Sequence, residues 1–329
     1  MSKKTVILWA VVATAGAAAA YANIGEARPE MKSYALAPGG PMAFETRHGI
    51  IITDSAKKAR WADERLREAI ESFTGNFDVS PGPGVIAEMP YTAYIKAIPE
   101  AQRRWTLPWM SRYFGTGKSA GSGQNDHHFD NDSGMRHELN HLFFTATIIP
   151  STKRFQYGGD APDWLDEAVA LTAESPTVKT HRREHFHKQV CAGRLVPLEL
   201  FLGQQHPLFA APAMQKLLSG QRAAGDGAPV MTTMSVKQLG LSRNALMDFY
   251  AQSNAVAEFL AEESGDPKAL RRIALSLKAG TDRPDAQRQR WISDFTRSGD
   301  RPLGERFAAW ALAAARAGKA GCNAGQSNA

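Results

Sequence analysis

Two histidines separated by three residues lie near the middle of the chain. The stretch from Arg136 to Phe144 reads RHELNHLFF, with His137 and His141 four positions apart. On a helix, residues four apart lie on one face, about 6 Å apart along the axis. Two imidazoles placed in this way can bind one tetrahedral Zn²⁺. Glu138, beside the first histidine, can then take a proton from an attacking water and pass it to a leaving amine.

The residues around this motif favour a helix. Leu139, Leu142, Phe143 and Phe144 provide apolar contacts, and no Pro or Gly intervenes before Pro150. In a chain of 329 residues with 9 His, the His-Glu-x-x-His pattern is expected by chance only roughly 0.01 times. The match therefore indicates a metal site.

A second segment, further along the chain, has the features of a helix that carries acidic residues. Residues 161–170 read APDWLDEAVA. Asp163 follows a proline and is typical of a helix N-cap, which puts Glu167 in the first turns of the helix. A catalytic zinc usually has three protein ligands and one open position, so one ligand is still required beyond the two histidines.

Together the two segments resemble those of the gluzincin metallopeptidases, specifically the peptidase MA-like group. In that group His-Glu-x-x-His on one helix is followed by Trp-Leu-x-Glu-x-x-Ala on the next, and residues 164–170 read WLDEAVA. The resemblance implies a zincin-like metallopeptidase that binds one Zn²⁺ per chain through His137, His141 and Glu167. It also implies that Glu138 is the general base and that the substrate is a peptide or a protein.

The sequence departs from the family pattern at two positions. Ala168 stands where aminopeptidases usually have Gly, and the family's marker for binding a free amino terminus is not visible, so endo- and exopeptidase action both stay open. Leu171 replaces the acidic residue that orients a zinc-bound His in related enzymes. Glu174, one turn further on, is our candidate for that role.

A later segment contains a candidate for stabilising negative charge. Residues 248–253 read DFYAQS, and they resemble the Tyr-Ala-Gln-Ser segment that heads a long helix in peptidase MA-like proteins. A Tyr hydroxyl keeps its proton at neutral pH and can donate to the oxygen on which charge develops when water attacks a carbonyl. We therefore consider Tyr250 a candidate catalytic residue. The alternative is that Tyr250 and Phe249 only pack the helical part of the protein.

A second function is compatible with the same metal ligands. The alternative is a zinc-stabilised binding or assembly protein whose peptidase activity is lost or marginal. A purely structural zinc site has no use for Glu138, and this favours hydrolysis of peptide bonds.

The pattern of elements predicts an α+β fold, with a small mixed β-sheet lobe followed by a mainly helical lobe. Strands are expected at 49–53 and 85–87, joined by a helix at 56–73. From Ser133 onward the pattern is helical. The expected helices are 134–147, 164–174, 179–190, 244–263, 267–278, 284–297 and 303–317.

Composition and periodicity also divide the chain into segments. Residues 23–44 carry Pro, Gly and Ala with little periodicity and are predicted to be a linker. Residues 45–317 are predicted to be one catalytic unit, with an α/β lobe at 45–132 and a helical lobe at 133–317. Residues 318–329 are rich in Gly, Ala and Asn and are predicted to be a flexible tail.

The chain begins like an exported protein. A short cationic start at residues 1–4 precedes an apolar stretch, and residues 20–22 read AYA, a pattern that signal peptidase recognises. We predict export to the periplasm or the medium, with residues 1–22 removed as a signal peptide. The alternative is an uncleaved membrane anchor formed by residues 5–22.

The net charge narrows the classes of binding partner that we expect for this chain. The formal charge is +6, and basic residues alternate with acidic ones, so no nucleic-acid partner is expected. Contact with a membrane is expected only if the N-terminal segment is uncleaved, and the oligomeric state is left open.

Cys191 and Cys322 are the only cysteines in the sequence. Export permits a disulfide between them, but the sequence does not decide whether it forms.

Other motifs receive simpler interpretations. His127 and His128 fall in a polar stretch and are interpreted as an exposed loop pair. His181 and His185 have the spacing of metal ligands, but their basic surroundings favour a solvated helix face. Residues 115–119 read GTGKS, but they lack the first Gly of a phosphate-binding loop and are not interpreted as a nucleotide site.

Overall fold

Five strands from the first third of the chain form one mixed sheet in the computed structural model, which describes residues 31–109, 131–150, 160–216, 240–279, 301–318 and 322. In the order of both the chain and the sheet, they are β1 (Lys32–Ala35), β2 (Met42–Glu45), β3 (Ile50–Thr53), β4 (Val85–Glu88) and β5 (Thr106–Trp109). The pairs β1–β2 and β2–β3 are antiparallel, whereas β3–β4 and β4–β5 are parallel. The predicted α+β fold with a small mixed sheet is confirmed.

The helix α1 (Ala56–Phe77) connects the parallel strands β3 and β4. Parallel neighbours need such a crossover, because a tight turn can join only antiparallel strands. Its buried residues include Ala59, Leu66 and Phe73, which recur at helical spacing. The helix ends at Phe77, and its C-cap residue Asp78 adopts a left-handed backbone conformation with a φ of 54°.

Beyond β4, described segments outside the sheet are helical or irregular. Two 3₁₀-helical segments, Met89–Ala97 and Glu100–Gln102, precede β5. After β5 come the α-helices α2 (Asn131–Thr147), α3 (Asp163–Leu171), α4 (Pro176–Cys191), α5 (Leu198–Phe201), α6 (Pro207–Ala210), α7 (Arg243–Ser264), α8 (Ala269–Ala279) and α9 (Leu303–Ala317). Residues 212–216 are helical as well. Because α3 packs against both α2 and α7, the segments that carry the predicted site are neighbours in the fold.

The predicted linker at residues 23–44 is wrong over its described part, because β1 and β2 form there. All four residues of β1 are exposed, and β2 buries two adjacent residues, so neither strand has the alternating pattern of a half-buried strand. The strand β5 was also not predicted. It contains Pro108, which is compatible with a strand at the edge of a sheet.

Several predicted features lie outside the described residues. They are the signal peptide at 1–22, the first part of the linker, the GTGKS stretch, His127 and His128, and the helix at 284–297. In the part of the chain that the structure describes, no helix has both the length and the apolar character needed to cross a bilayer.

A disulfide joins Cys191, the last residue of α4, to Cys322, with their Cα atoms 4.9 Å apart. The question that the sequence left open is therefore answered. The bond also attaches Cys322, which lies within the predicted flexible tail at 318–329, to α4.

Candidate metal centre

The two predicted histidine ligands lie on α2, whose other side is packed into the core. Phe143 lies edge-on to Phe73 of α1, and Phe144 packs against Phe77, with 5.7 Å between ring centroids in each pair. These four side chains are fully buried. Because α2 also packs against α3, the face of α2 that carries the histidines meets the helix that carries the predicted third ligand.

Polar contacts fix the position of α2 from both sides. Asp132, in its first turn, accepts a hydrogen bond of 3.0 Å from Trp61 Nε1 and forms an ion pair of 3.1 Å with Arg65. In the middle of α2, the Asn140 side-chain amide donates to the backbone oxygen of Val169, 3.3 Å away on α3. The helix is therefore held to α1 at its start and to α3 beside the histidines.

His137, His141 and Glu167 come together in a buried cluster. Their exposed fractions are 3%, 4% and 1%, and one donor atom from each lies within 4.8 Å of the others. The two Nε2 atoms are 3.1 Å apart, and Glu167 oxygens lie 3.4 Å from His137 Nε2 and 3.7 Å from His141 Nε2. Zinc–ligand bonds of about 2.0–2.1 Å in a tetrahedron put the ligand atoms about 3.4 Å apart. The cluster therefore has the dimensions of a site that can hold a metal ion.

The hydrogen bonding of Glu167 gives an independent test of this fit. Both of its carboxylate oxygens are shielded from water, and neither accepts a hydrogen bond of normal geometry from the described part of the chain. Buried carboxylates are nearly always hydrogen-bonded, paired or bound to a metal, because an unsatisfied buried charge is costly. A cation held between Glu167 and the two imidazoles satisfies this requirement.

Each imidazole has a carboxylate at its other nitrogen. Asp166 Oδ2 lies 2.7 Å from Nδ1 of His141, and Glu174 Oε1 lies 3.3 Å from Nδ1 of His137. Such partners orient a ligand ring and make its free nitrogen a better donor to the metal. The structure thus places Glu174 where the sequence suggested. Asp166 was missed, although its position next to Glu167 was a usable signal.

Charges inside the centre pair with one another. Burial lowers the pKa of the His137 imidazole, but the carboxylates of Glu167 and Glu174 outweigh burial and raise it to about 10. Burial lowers the pKa of His141, but Asp166 and Glu167 raise it above its usual value. Burial raises the pKa of the Glu167 carboxyl, whereas His141 and His137 hold it down, at about 2. An imidazole gives up its proton to bind a metal, so metal binding here competes with protons.

The two predicted catalytic residues lie at the same centre. Glu138 is half-buried on α2, next to the first histidine. The Tyr250 ring on α7 lies 6.1 Å from the His137 ring, centroid to centroid. Burial raises the pKa of the Tyr250 hydroxyl well above 10, and the negative charges of Glu167 and Glu138 add to this effect. Tyr250 therefore keeps its proton and remains a hydrogen-bond donor at neutral pH.

A buried ion pair connects Tyr250 to the histidines. Arg182 of α4 donates to Glu174, with Nη2 2.9 Å from Oε1, and both residues are almost fully buried. The guanidinium carbon of Arg182 lies 4.8 Å from the centre of the Tyr250 ring, in a cation–π contact. The same carboxylate thus contacts the His137 ring and holds the cation that packs on Tyr250.

A further residue at the centre was also missed. His206 precedes α6, is 2% exposed, and its Nε2 lies 3.4 Å from Glu167 Oε1. Burial lowers its pKa to about 4, although the Glu167 charge opposes this shift. No local pattern pointed to it, because His206 is isolated among QQHPL and lies 39 residues beyond Glu167.

Two other described histidines lie beside acidic side chains away from the centre. His185 lies 2.6 Å from an Asp248 oxygen, and His181 lies 3.5 Å from Glu184. Among the described residues, His137, His141 and Glu167 form the one group of His, Cys, Asp or Glu side chains that could hold a metal.

Comparisons with protein-family models, with curated proteins and with solved structures find no match to this chain. A functional assignment therefore rests on the residues of the centre.

Proposed function

We propose that this protein is a zinc-dependent peptidase of the gluzincin type, with a zincin-like fold. The observation that carries the proposal is the buried His137, His141 and Glu167 cluster with the Glu138 carboxylate beside it. Two imidazoles and one carboxylate form a ligand set typical of catalytic zinc, which keeps a fourth position for water or substrate. When bound, the metal would supply a Lewis acid that polarises a carbonyl and acidifies water.

Glu138 fits the role of general base. Its carboxylate follows the first ligand directly in sequence, and it is less buried than the ligands, so it can face a water and a substrate. In this role it accepts the proton of the attacking water and returns it to the leaving amine. A site that only stabilises the fold would not require this carboxylate, and this favours hydrolysis over a structural role.

Tyr250 fits the role of oxyanion donor. Its hydroxyl stays protonated, and its ring contacts both the Arg182 guanidinium and the His137 ring. A donor placed in advance stabilises the negative oxygen of the transition state more than it stabilises the substrate carbonyl. We therefore assign Tyr250 this role, with peptides or proteins as the substrate class.

We also propose that the protein is exported, with cleavage near Ala22. The apolar start of the chain carries this proposal, and the disulfide of Cys191 and Cys322 supports it, since such bonds persist mainly in oxidising compartments. The mass of the intact protein from the periplasm or the medium should correspond to a chain that begins at Asn23. A full-length mass in the membrane fraction would favour the anchor formed by residues 5–22.

A test of the catalytic proposal compares metal content with hydrolysis. Purified protein should contain one zinc per chain and cleave members of a diverse set of fluorogenic peptides. Glu138→Gln should lower the rate by about 10²–10⁴-fold and leave the zinc content unchanged. Glu184→Gln, at an exposed position of α4, is the matched control and should leave both unchanged.

The other outcomes are equally informative. If Glu167→Ala binds zinc as tightly as the wild type, the proposed ligand set is wrong. Zinc at one per chain with no hydrolysis of any peptide would instead favour the zinc-stabilised binding or assembly protein.

A further inference from the structure

His206 is attached to the same helix as the third ligand. Its backbone N–H donates to Asp163 Oδ2 across 2.6 Å, and Asp163 is the first residue of α3. Glu167 lies four residues, or about one turn, further along that helix. Thus the start of α3 fixes the backbone of His206, while its side chain reaches the ligand on the next turn.

The ring of His206 is fixed in orientation as well. Its Nδ1 accepts a hydrogen bond of 3.2 Å from the backbone N–H of Leu208, at the start of α6. Three aromatic rings surround it, with centroids 5.0 Å away for Phe249, 5.4 Å for Phe209 and 5.5 Å for Tyr250. A neutral imidazole whose Nδ1 accepts must carry its proton on Nε2. This assigns Nε2 as a donor.

That donor faces one particular oxygen of Glu167. His206 Nε2 lies 3.4 Å from Oε1, whereas Oε2 is the oxygen that lies 3.4 Å from His137 Nε2. A normal N–H···O bond is about 2.7–3.2 Å long, so a shift of a few tenths of an ångström forms the bond. Among the described residues, the potential metal-ligand atoms that lie within 4.8 Å of one another belong to His137, His141 and Glu167. His206 is not part of this group, so it contacts a ligand rather than acting as one.

We propose that His206 is a positioning residue of the metal centre, which donates from Nε2 to Glu167 Oε1 and leaves Oε2 for the metal. Each ligand then has an outer partner of its own: Asp166 for His141, Glu174 for His137, and His206 for Glu167. A carboxylate bonded at one oxygen is restricted in rotation, so its free oxygen stays aimed at the metal. This inference rests on the proposed zinc site.

Two substitutions of similar size separate this role from simple packing. His206→Gln keeps an N–H donor at about the same reach, whereas His206→Met fills the aromatic pocket without one. We expect His206→Met to weaken zinc binding by about 10–100-fold, as loss of an outer partner typically does. His206→Gln should stay within about threefold of the wild type, and so should the control His181→Met on the partly exposed face of α4.

Three quantities are measured for each variant. Competition with a chelator gives the zinc dissociation constant, the cobalt-loaded protein gives a visible spectrum, and the metal-free protein gives a melting temperature. The expected result is weaker zinc binding and an altered cobalt spectrum for His206→Met, rescue by His206→Gln, and similar melting temperatures. If His206→Met does not fold, His206→Phe replaces it as the variant without a donor.

Equal zinc affinity in the wild type and the variant without a donor would overturn the positioning role and leave the zinc site standing. Equal losses in both variants, with a matching fall in melting temperature, would also overturn it, since packing would then explain the effect. A wild-type protein that binds no zinc would overturn the proposed function together with this inference.

Discussion

Glu174 has two partners, and its replacement by Gln allows their contributions to be measured separately. Its Oε1 lies 2.9 Å from Arg182 Nη2 and 3.3 Å from His137 Nδ1. Glu174 and Arg182 are only 4% and 2% exposed. Glu174→Gln preserves the shape of the side chain and removes its charge. Arg182 then becomes a buried cation without its ion-pair partner, and His137 loses the carboxylate that orients its ring.

The expected loss of stability follows from the burial of this pair. Removing one partner of a buried ion pair costs about 3–5 kcal/mol, because the other charge is left uncompensated. A glutamine still accepts one hydrogen bond from Arg182, so we expect about 3 kcal/mol less free energy of unfolding. At about 2 °C per kcal/mol for a domain of this size, the melting temperature should fall by about 6 °C. Adding Arg182→Met should recover at least half of that loss, because no unpaired charge remains.

Zinc affinity should follow a different pattern. The charged Nδ1 partner of His137 is absent from both the single and the double variant, so both should bind zinc about 10–100-fold more weakly than the wild type. Recovery of stability without recovery of affinity would distinguish a contact that orients a ligand from one that only stabilises the fold.

Thermal unfolding of metal-free protein and chelator competition for zinc are the two measurements, with Glu184→Gln as the exposed control. A melting temperature within 1 °C of the wild type for Glu174→Gln would refute the argument from the buried ion pair. Full recovery of zinc affinity in the double variant would show that Glu174 acts on the metal only through the fold.

Three further predictions use other parts of the structure. Tyr250→Phe should lower turnover by about 10²–10³-fold with zinc content and melting temperature unchanged, and an unaltered rate would make Tyr250 a packing residue. Replacing Cys191 and Cys322 by Ser should lower the free energy of unfolding by about 2–5 kcal/mol, and a reductant should then have no effect on the melting curve. Burial raises the pKa of Asp248, but the hydrogen bond from Arg194 lowers it below the usual Asp value. The ionised Asp248 carboxylate therefore stabilises the fold above about pH 4, and this stabilisation is lost as the pH falls. Urea unfolding should therefore show a stability gap of about 1 kcal/mol or less between the wild type and Asp248→Asn at pH 7, and this gap should narrow as the pH falls below the usual pKa of Asp.

Features with a local sequence signature were the ones that could be predicted. The four-residue spacing of His137 and His141 defines one face of a helix, and α2 spans both positions. The helix that carries Glu167 begins at Asp163, one residue from its predicted start. The strand at Ile50–Thr53 is fully buried, and its run of isoleucines was sufficient to identify it.

Features that depend on tertiary contacts were missed. The strand β1 is exposed on every residue and is held by backbone pairing with β2, so its side chains carry no periodic signal. His206 reaches the centre only because its backbone is bonded to Asp163, a contact between residues 43 positions apart. A single sequence contains no record of such a contact, since no local propensity or spacing depends on it.

The buried charges around the ligands bear on which ion the centre can hold. Asp166, Glu167 and Glu174 are three carboxylates with exposed fractions of 4% or less, and Arg182 is the guanidinium buried with them. If the imidazoles are counted as neutral, these groups sum to two negative charges. Uncompensated charge in a buried site is costly, so the arrangement favours a cation of charge +2 between the ligands. Two protons on the imidazoles supply the same compensation, and this is why the pKa of His137 is raised to about 10. Metal and protons therefore compete for the same buried negative charge. Asp166 and Glu174, which contact the imidazoles, and Glu167, a proposed ligand, together make the site suited to a divalent ion.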